Sequence, residues 1–89
     1  MNVCKQFIIS GRVQGVGYRA STQQKAVELN LTGYVRNLYD GRVQAEFCGL
    51  SENIDAMQQW LWLGPVMAKV EDVEVQPLPV RDYSEFEVR

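Results

Sequence analysis

The feature that most constrains this chain is the order in which two hydrophobic periods succeed one another. Runs that alternate apolar and polar residues, the period of a half-buried strand, surround two stretches of helical period that contain neither Gly nor Pro. The first run, Cys4 to Val13, sets Phe7, Ile9 and Val13 on one face, with Gly11 between them and Lys5 at its start; Gln6, Ser10 and Arg12 lie on the other. Ala20 to Asn30 then places Thr22, Ala26 and Leu29 at i, i+4 and i+7, a helical stripe, and Asn30 suits a helix end. Thr32 to Asn37 reads as a second strand, and Arg42 to Cys48 as a third, with Val43, Ala45 and Phe47 opposed to Gln44, Glu46 and Cys48. Between them, Leu38-Tyr39-Asp40-Gly41 is a tight connection whose Asp-Gly pair favours positive φ. Ser51 is a natural N-cap for a helix over Glu52 to Leu63, which carries Ile54, Met57 and Leu61 inward and stops at Gly64-Pro65. Val70 to Gln76, with Val73 and Val75 on one face, is a fourth strand broken by Pro77 and Pro79. Phe86 and Val88 alternate in a short last strand.

The order β-α-β-β-α-β plus a terminal strand is that of the α+β, ferredoxin-like split βαβ sandwich. Right-handed crossovers put both helices on one face of an antiparallel sheet of order 4-1-3-2, with the terminal strand beside the second. The 89 residues suffice for one domain spanning 1–89, with a modest core.

Nine basic and eleven acidic residues give a net charge of −2, which argues against nucleic acid or an anionic membrane as a partner. The RNA-recognition domain shares this topology, but its binding face on the third strand is aromatic, whereas this chain presents Gln44, Glu46 and Cys48 there. No stretch approaches the ~18 apolar residues of a membrane span, and the start lacks a secretory pattern, so the cytoplasm is the default location. The chain has no histidine, the commonest general base and metal ligand at neutral pH, and its two cysteines cannot form a zinc site alone; no metal or cofactor is expected. Cys4 begins the first strand and Cys48 ends the third, so both fall at one end of neighbouring strands on the helix-free face. Geometry allows a disulfide there, and a reducing cytoplasm would instead leave two free thiols. Trp60 and Trp62, two apart on a helix, cannot share a face, so one packs and one is near the surface. Glu71, Asp72 and Glu74 read as a solvated edge.

The chemistry is concentrated after the first strand. Gly15 and Gly17 permit positive φ, so the backbone N–H groups of Gly15, Val16, Gly17, Tyr18 and Arg19 can converge on an anion at the start of a helix. Arg19 adds a permanently charged fork suited to phosphate oxygens. The topology carries Asn37, at the end of the second strand, to the same sheet edge, two strand spacings or roughly 10 Å away. The loop is neither a Walker motif nor a dinucleotide fingerprint, because Gly-Lys-Ser/Thr and the third glycine are missing.

Gly11-Arg12-Val13-Gln14-Gly15-Val16-Gly17-Tyr18-Arg19 resembles the signature loop of the acylphosphatase family, and Gly33-Tyr34-Val35-Arg36-Asn37-Leu38-Tyr39-Asp40-Gly41-Arg42-Val43 resembles its second block. Gly64-Pro65, Ala68-Lys69-Val70 and Phe86-Glu87-Val88 extend the likeness over nearly the whole chain; Tyr18 and Tyr34 stand where Phe and Trp are more usual. The resemblance implies hydrolysis of an acyl phosphate to a carboxylate and inorganic phosphate; a monomer is the simple expectation for the chain. It makes Arg19 the phosphate-binding arginine and Asn37 the residue that orients the attacking water. Related domains also occur within larger carbamoyl-transfer proteins, where a binding role is the alternative.

Overall fold

A computed structural model describes all 89 residues. Its elements are β1 (Asn2–Arg12), α1 (Tyr18–Glu28), β2 (Thr32–Asn37), β3 (Val43–Leu50), α2 (Ser51–Leu63), β4 (Lys69–Leu78) and β5 (Phe86–Val88). They form one sheet of order β4-β1-β3-β2-β5, antiparallel except where β5 runs parallel to β2. Both helices lie on one face. The split βαβ arrangement and the sheet order expected from the periodicities are the ones observed.

The apolar stripes meet as the patterns require. Phe7, Ile9, Val35, Val43, Ala45 and Phe47 line the sheet, and Ala26, Ile54, Met57 and Leu61 descend on them from the helices. Phe47 stacks on Phe86 of β5 at 5.2 Å between ring centroids, so the short last strand is anchored by an aromatic pair. Trp60 packs against the core while Trp62 is largely exposed.

Several boundaries differ from the sequence reading, each for a local reason. The first helix begins two residues earlier, at Tyr18, because Gly17 occupies the left-handed region and lets the chain turn straight into helix. Its end is a Schellman motif: Asn30 is left-handed at φ 55°, its N–H reaches Val27 O, and the Leu31 N–H reaches Ala26 O at 2.9 Å. Ser51 does not cap the second helix. It is the first helical residue, preceded by an extended Leu50, and no side chain caps that end. Pro77 does not break the fourth strand, which runs to Leu78; as an edge strand, β4 has an outer side whose N–H groups need no partner.

The helix-free face is the larger surprise. Glu46 and Cys48 point to it, as the alternation requires, yet both are buried. The connection from β4 to β5 crosses this face and covers them. Glu46 Oε2 accepts from the Tyr34 hydroxyl at 2.7 Å, and its Oε1 accepts from the Tyr83 hydroxyl at 2.7 Å and from Arg81 at 3.2 Å. Cys4 and Cys48 are directly paired across β1 and β3, and a disulfide joins them under the Arg81 backbone.

Candidate active site

The β1–α1 loop is built to leave donors free. Gly15 and Gly17 sit at φ 75° and 80°, and a Cβ on either would meet nothing within 4 Å. Glycine is therefore required there by backbone conformation, which aims consecutive N–H groups outward, and not by lack of room. None of the backbone hydrogen bonds outside the regular elements is donated by residues 15 to 19. The helix that follows has no capping side chain and no acidic residue in its first turn, so its positive end also faces outward unneutralised.

Tyr18 fixes this loop to the fold. Its ring is buried beside Trp60, and its hydroxyl donates to Leu61 O at 2.7 Å, filling an acceptor at the C-terminal turn of α2. Burial pushes the hydroxyl well above the ordinary tyrosine range, so it stays protonated as a donor. Because Tyr18 points inward, it can offer a ligand only its main-chain N–H. Val16 likewise packs on the core.

Arg19, the next residue, points the other way and is half-exposed. Its Nη1 donates to the main-chain oxygen of Arg89 at 2.9 Å. The Arg89 N–H in turn donates to Val35 O at 2.8 Å, and its guanidinium lies 4.2 Å from the centre of the Tyr34 ring. Arg19 is thereby held beside the end of β2, two residues from the Val35 carbonyl to which this chain of contacts is tied. Asn37 is the last residue of β2, is exposed, and pairs with Val43 across the hairpin. Its side-chain amide takes no part in the fold's own hydrogen bonds.

Loop, guanidinium and amide thus share one end of the sheet. A separate cleft of about 330 Å³, lined in part by Asn2, Asn30, Asn53 and Arg81, opens at the opposite end and includes none of them. Glu71, Asp72 and Glu74 are exposed along the edge strand.

The acylphosphatase family model matches residues 5–88. The chain belongs to the acylphosphatase family. An acylphosphatase of Nitrosococcus oceani is 48% identical over 89 residues, covering 100% of both chains. The structure of an acylphosphatase from Coxiella burnetii superposes with a TM-score of 0.96 at 44% identity, over 99% of this chain and 93% of that one. The acylphosphatase from Bacillus subtilis gives 0.95 at 30% identity over 98% of each.

Three contributors to this candidate site escape a reading by residue type. Gln14, at the head of the loop, donates from Nε2 to Leu38 O at 2.8 Å and to Arg42 O at 2.9 Å. Arg89 orients Arg19 through a main-chain oxygen, which any residue could supply. The Tyr18 ring anchors the loop from below. Only Gln14 left a trace, as a polar residue inside the signature loop with no assigned task.

Proposed function

We propose that acyl-phosphate hydrolysis, the activity of this family, is carried out here by the loop amides of residues 15 to 19, Arg19 and Asn37. The observation that carries the reading is the convergence of undonated N–H groups and a guanidinium at one sheet end with an exposed amide. The loop and Arg19 grip the phosphoryl oxygens and stabilise the charge spread over them in the loose transition state of phosphoryl transfer. Asn37 holds a water in line with the bond to be broken. The water oxygen forms the new bond to phosphorus, and the bond to the acyl oxygen breaks with its electron pair, releasing a carboxylate. The water's proton passes to a phosphoryl oxygen. A carboxylate leaves readily, so no general acid is needed, and a chain without histidine can perform the step.

Arg19, the loop and Asn37 come from one chain, so the reading requires only a monomer, and its partners are a small acyl phosphate and inorganic phosphate. The test uses benzoyl phosphate turnover and competitive inhibition by phosphate. Arg19→Ala abolishes both turnover and phosphate inhibition. Asn37→Ala lowers kcat by about 100-fold or more and leaves the phosphate inhibition constant nearly unchanged. Near-normal kcat in Asn37→Ala would remove the water-positioning role.

A further inference from the structure

The two halves of the site come from different parts of the chain. The cradle follows β1 and the amide ends β2, with the start of β3 between them. In-line attack tolerates little error: a displacement of about 1 Å in a reacting group can cost roughly 100-fold in rate. Something must therefore hold the β2–β3 hairpin at a fixed distance from the loop.

Gln14 makes that connection. Its two amide hydrogens end on two carbonyls, Leu38 O at 2.8 Å and Arg42 O at 2.9 Å. Leu38 directly follows Asn37, and Arg42 directly precedes Val43, the cross-strand partner of Asn37. One side chain thus grips the hairpin on both sides of the Asn37–Val43 pair. These are the only side-chain hydrogen bonds from the loop to the hairpin. The hairpin does not depend on Gln14 for its own shape. It closes through Leu38 N–H to Arg42 O at 2.8 Å, and the Asp40 carboxylate accepts from the Arg42 N–H at 3.1 Å. The pairing of β3 with β1 ends at Ile9–Val43, so loss of Gln14 would leave the hairpin intact and in the sheet but would untie its tip, from Leu38 to Arg42, from the loop.

We propose that Gln14 is a positioning residue for hydrolysis: it sets the distance between the phosphate cradle and Asn37, and so the line along which water attacks. It touches neither substrate nor water. The inference rests on the roles assigned above to Arg19 and Asn37.

Gln14→Met keeps the length and apolar packing of the side chain and removes both donors. It should lower kcat by about 10- to 100-fold, with the phosphate inhibition constant within about two-fold of the parent, because the cradle itself is untouched. A role exerted through Asn37 also predicts non-additivity: in an Asn37→Ala background the same change should cost less than about two-fold. Gln14→Leu, neutral, of similar volume and without donors, is the second variant and should behave alike. Circular dichroism and melting temperature establish that each is folded. A folded Gln14→Met with kcat within about two-fold of the parent overturns the inference, as does a loss that adds in full to that of Asn37→Ala. Failure of both variants to fold also overturns it, since the tie would then be structural. If Asn37→Ala itself keeps its kcat, the fault lies with the reading of Asn37. If Asn37→Ala loses kcat and Gln14→Met does not, only the role of Gln14 falls.

Discussion

Reduction of the Cys4–Cys48 disulfide should weaken the fold strongly and leave the chemistry alone. The two cysteines are 44 positions apart, so the bond closes a long loop in the unfolded chain. The chain-entropy relation for a loop of that length gives about 4 kcal/mol of stabilisation. The sheet itself does not depend on the bond, because seven further residue pairs join β1 to β3. Small domains are stable by only about 5–15 kcal/mol in total, so the loss is large. With a urea slope near 1.2 kcal/mol/M, the midpoint should fall by about 3 M. The assay is urea unfolding with and without reductant, with intact mass reporting the two added hydrogens. Activity provides the control. The strand between Cys4 and Arg12 spans eight residues, roughly 26 Å, so the bond lies at the end of the sheet away from the loop. Turnover under native conditions should therefore be unchanged. A midpoint shift worth less than about 1 kcal/mol, with full reduction verified, would refute the loop-closure reasoning. Lost turnover in a reduced chain that remains folded would refute the claim that the two ends act separately.

Alkaline pH should also unfold the chain. Burial first, and then the hydrogen bond to Glu46 and the charge of that carboxylate, push the Tyr34 hydroxyl up to about 12. The folded state therefore keeps a proton that the unfolded chain releases near pH 10; this stabilisation is intact below about pH 10 and lost as pH rises toward 12. Urea midpoints measured from pH 8 to 12 should fall in that window and fall less in Tyr34→Phe; parallel curves would exclude Tyr34 as the cause. Ala20→Glu, at an exposed position in the first turn of α1, should stabilise the helix by about 0.3–1 kcal/mol by complementing its dipole, yet raise KM for acyl phosphates about five-fold by repelling the phosphate. A stabilised variant with unchanged KM would show that the helix end does not face the substrate.

Much of this was legible because it is local. Phe7, Ile9, Val43, Ala45 and Phe47 announce the buried sheet face by alternation, and Ile54, Met57 and Leu61 do the same for the second helix. The glycines at 15 and 17 mark the loop, and topology alone brings Asn37 to it. What was not legible depends on contacts between residues far apart in sequence. The alternation of the third strand places Glu46 and Cys48 on the helix-free face, and only the passage of Arg81 and Tyr83 across the sheet buries them. Ser51 has the chemistry of a cap, but the preceding Leu50 takes the extended conformation that a cap requires. Pro77 reads as a breaker by local propensity, although the sheet order already puts the fourth strand at an edge, where proline is tolerated. Gln14 reaches 24 and 28 positions along the chain, beyond any local pattern.

The places where local rules fail have a common cause at the site. An ordinary helix start would use Ser, Thr, Asp or Asn to satisfy its free N–H groups and an acidic residue to complement its dipole. Here Gly17 holds the N-cap position and the first turn carries no acid, so the helix forgoes both sources of stability. The fold supplies anchorage from elsewhere: the buried Tyr18 ring, its hydroxyl on Leu61, and the Thr22 hydroxyl on Tyr18 O at 2.7 Å hold the first turn in place without occupying its donors. The same division applies to Arg19, whose guanidinium is steered by a single main-chain oxygen and leaves its other donors unused by the fold. Anchorage comes from the inward face of the loop, while its outward face keeps free donors at the expense of the helix's own capping.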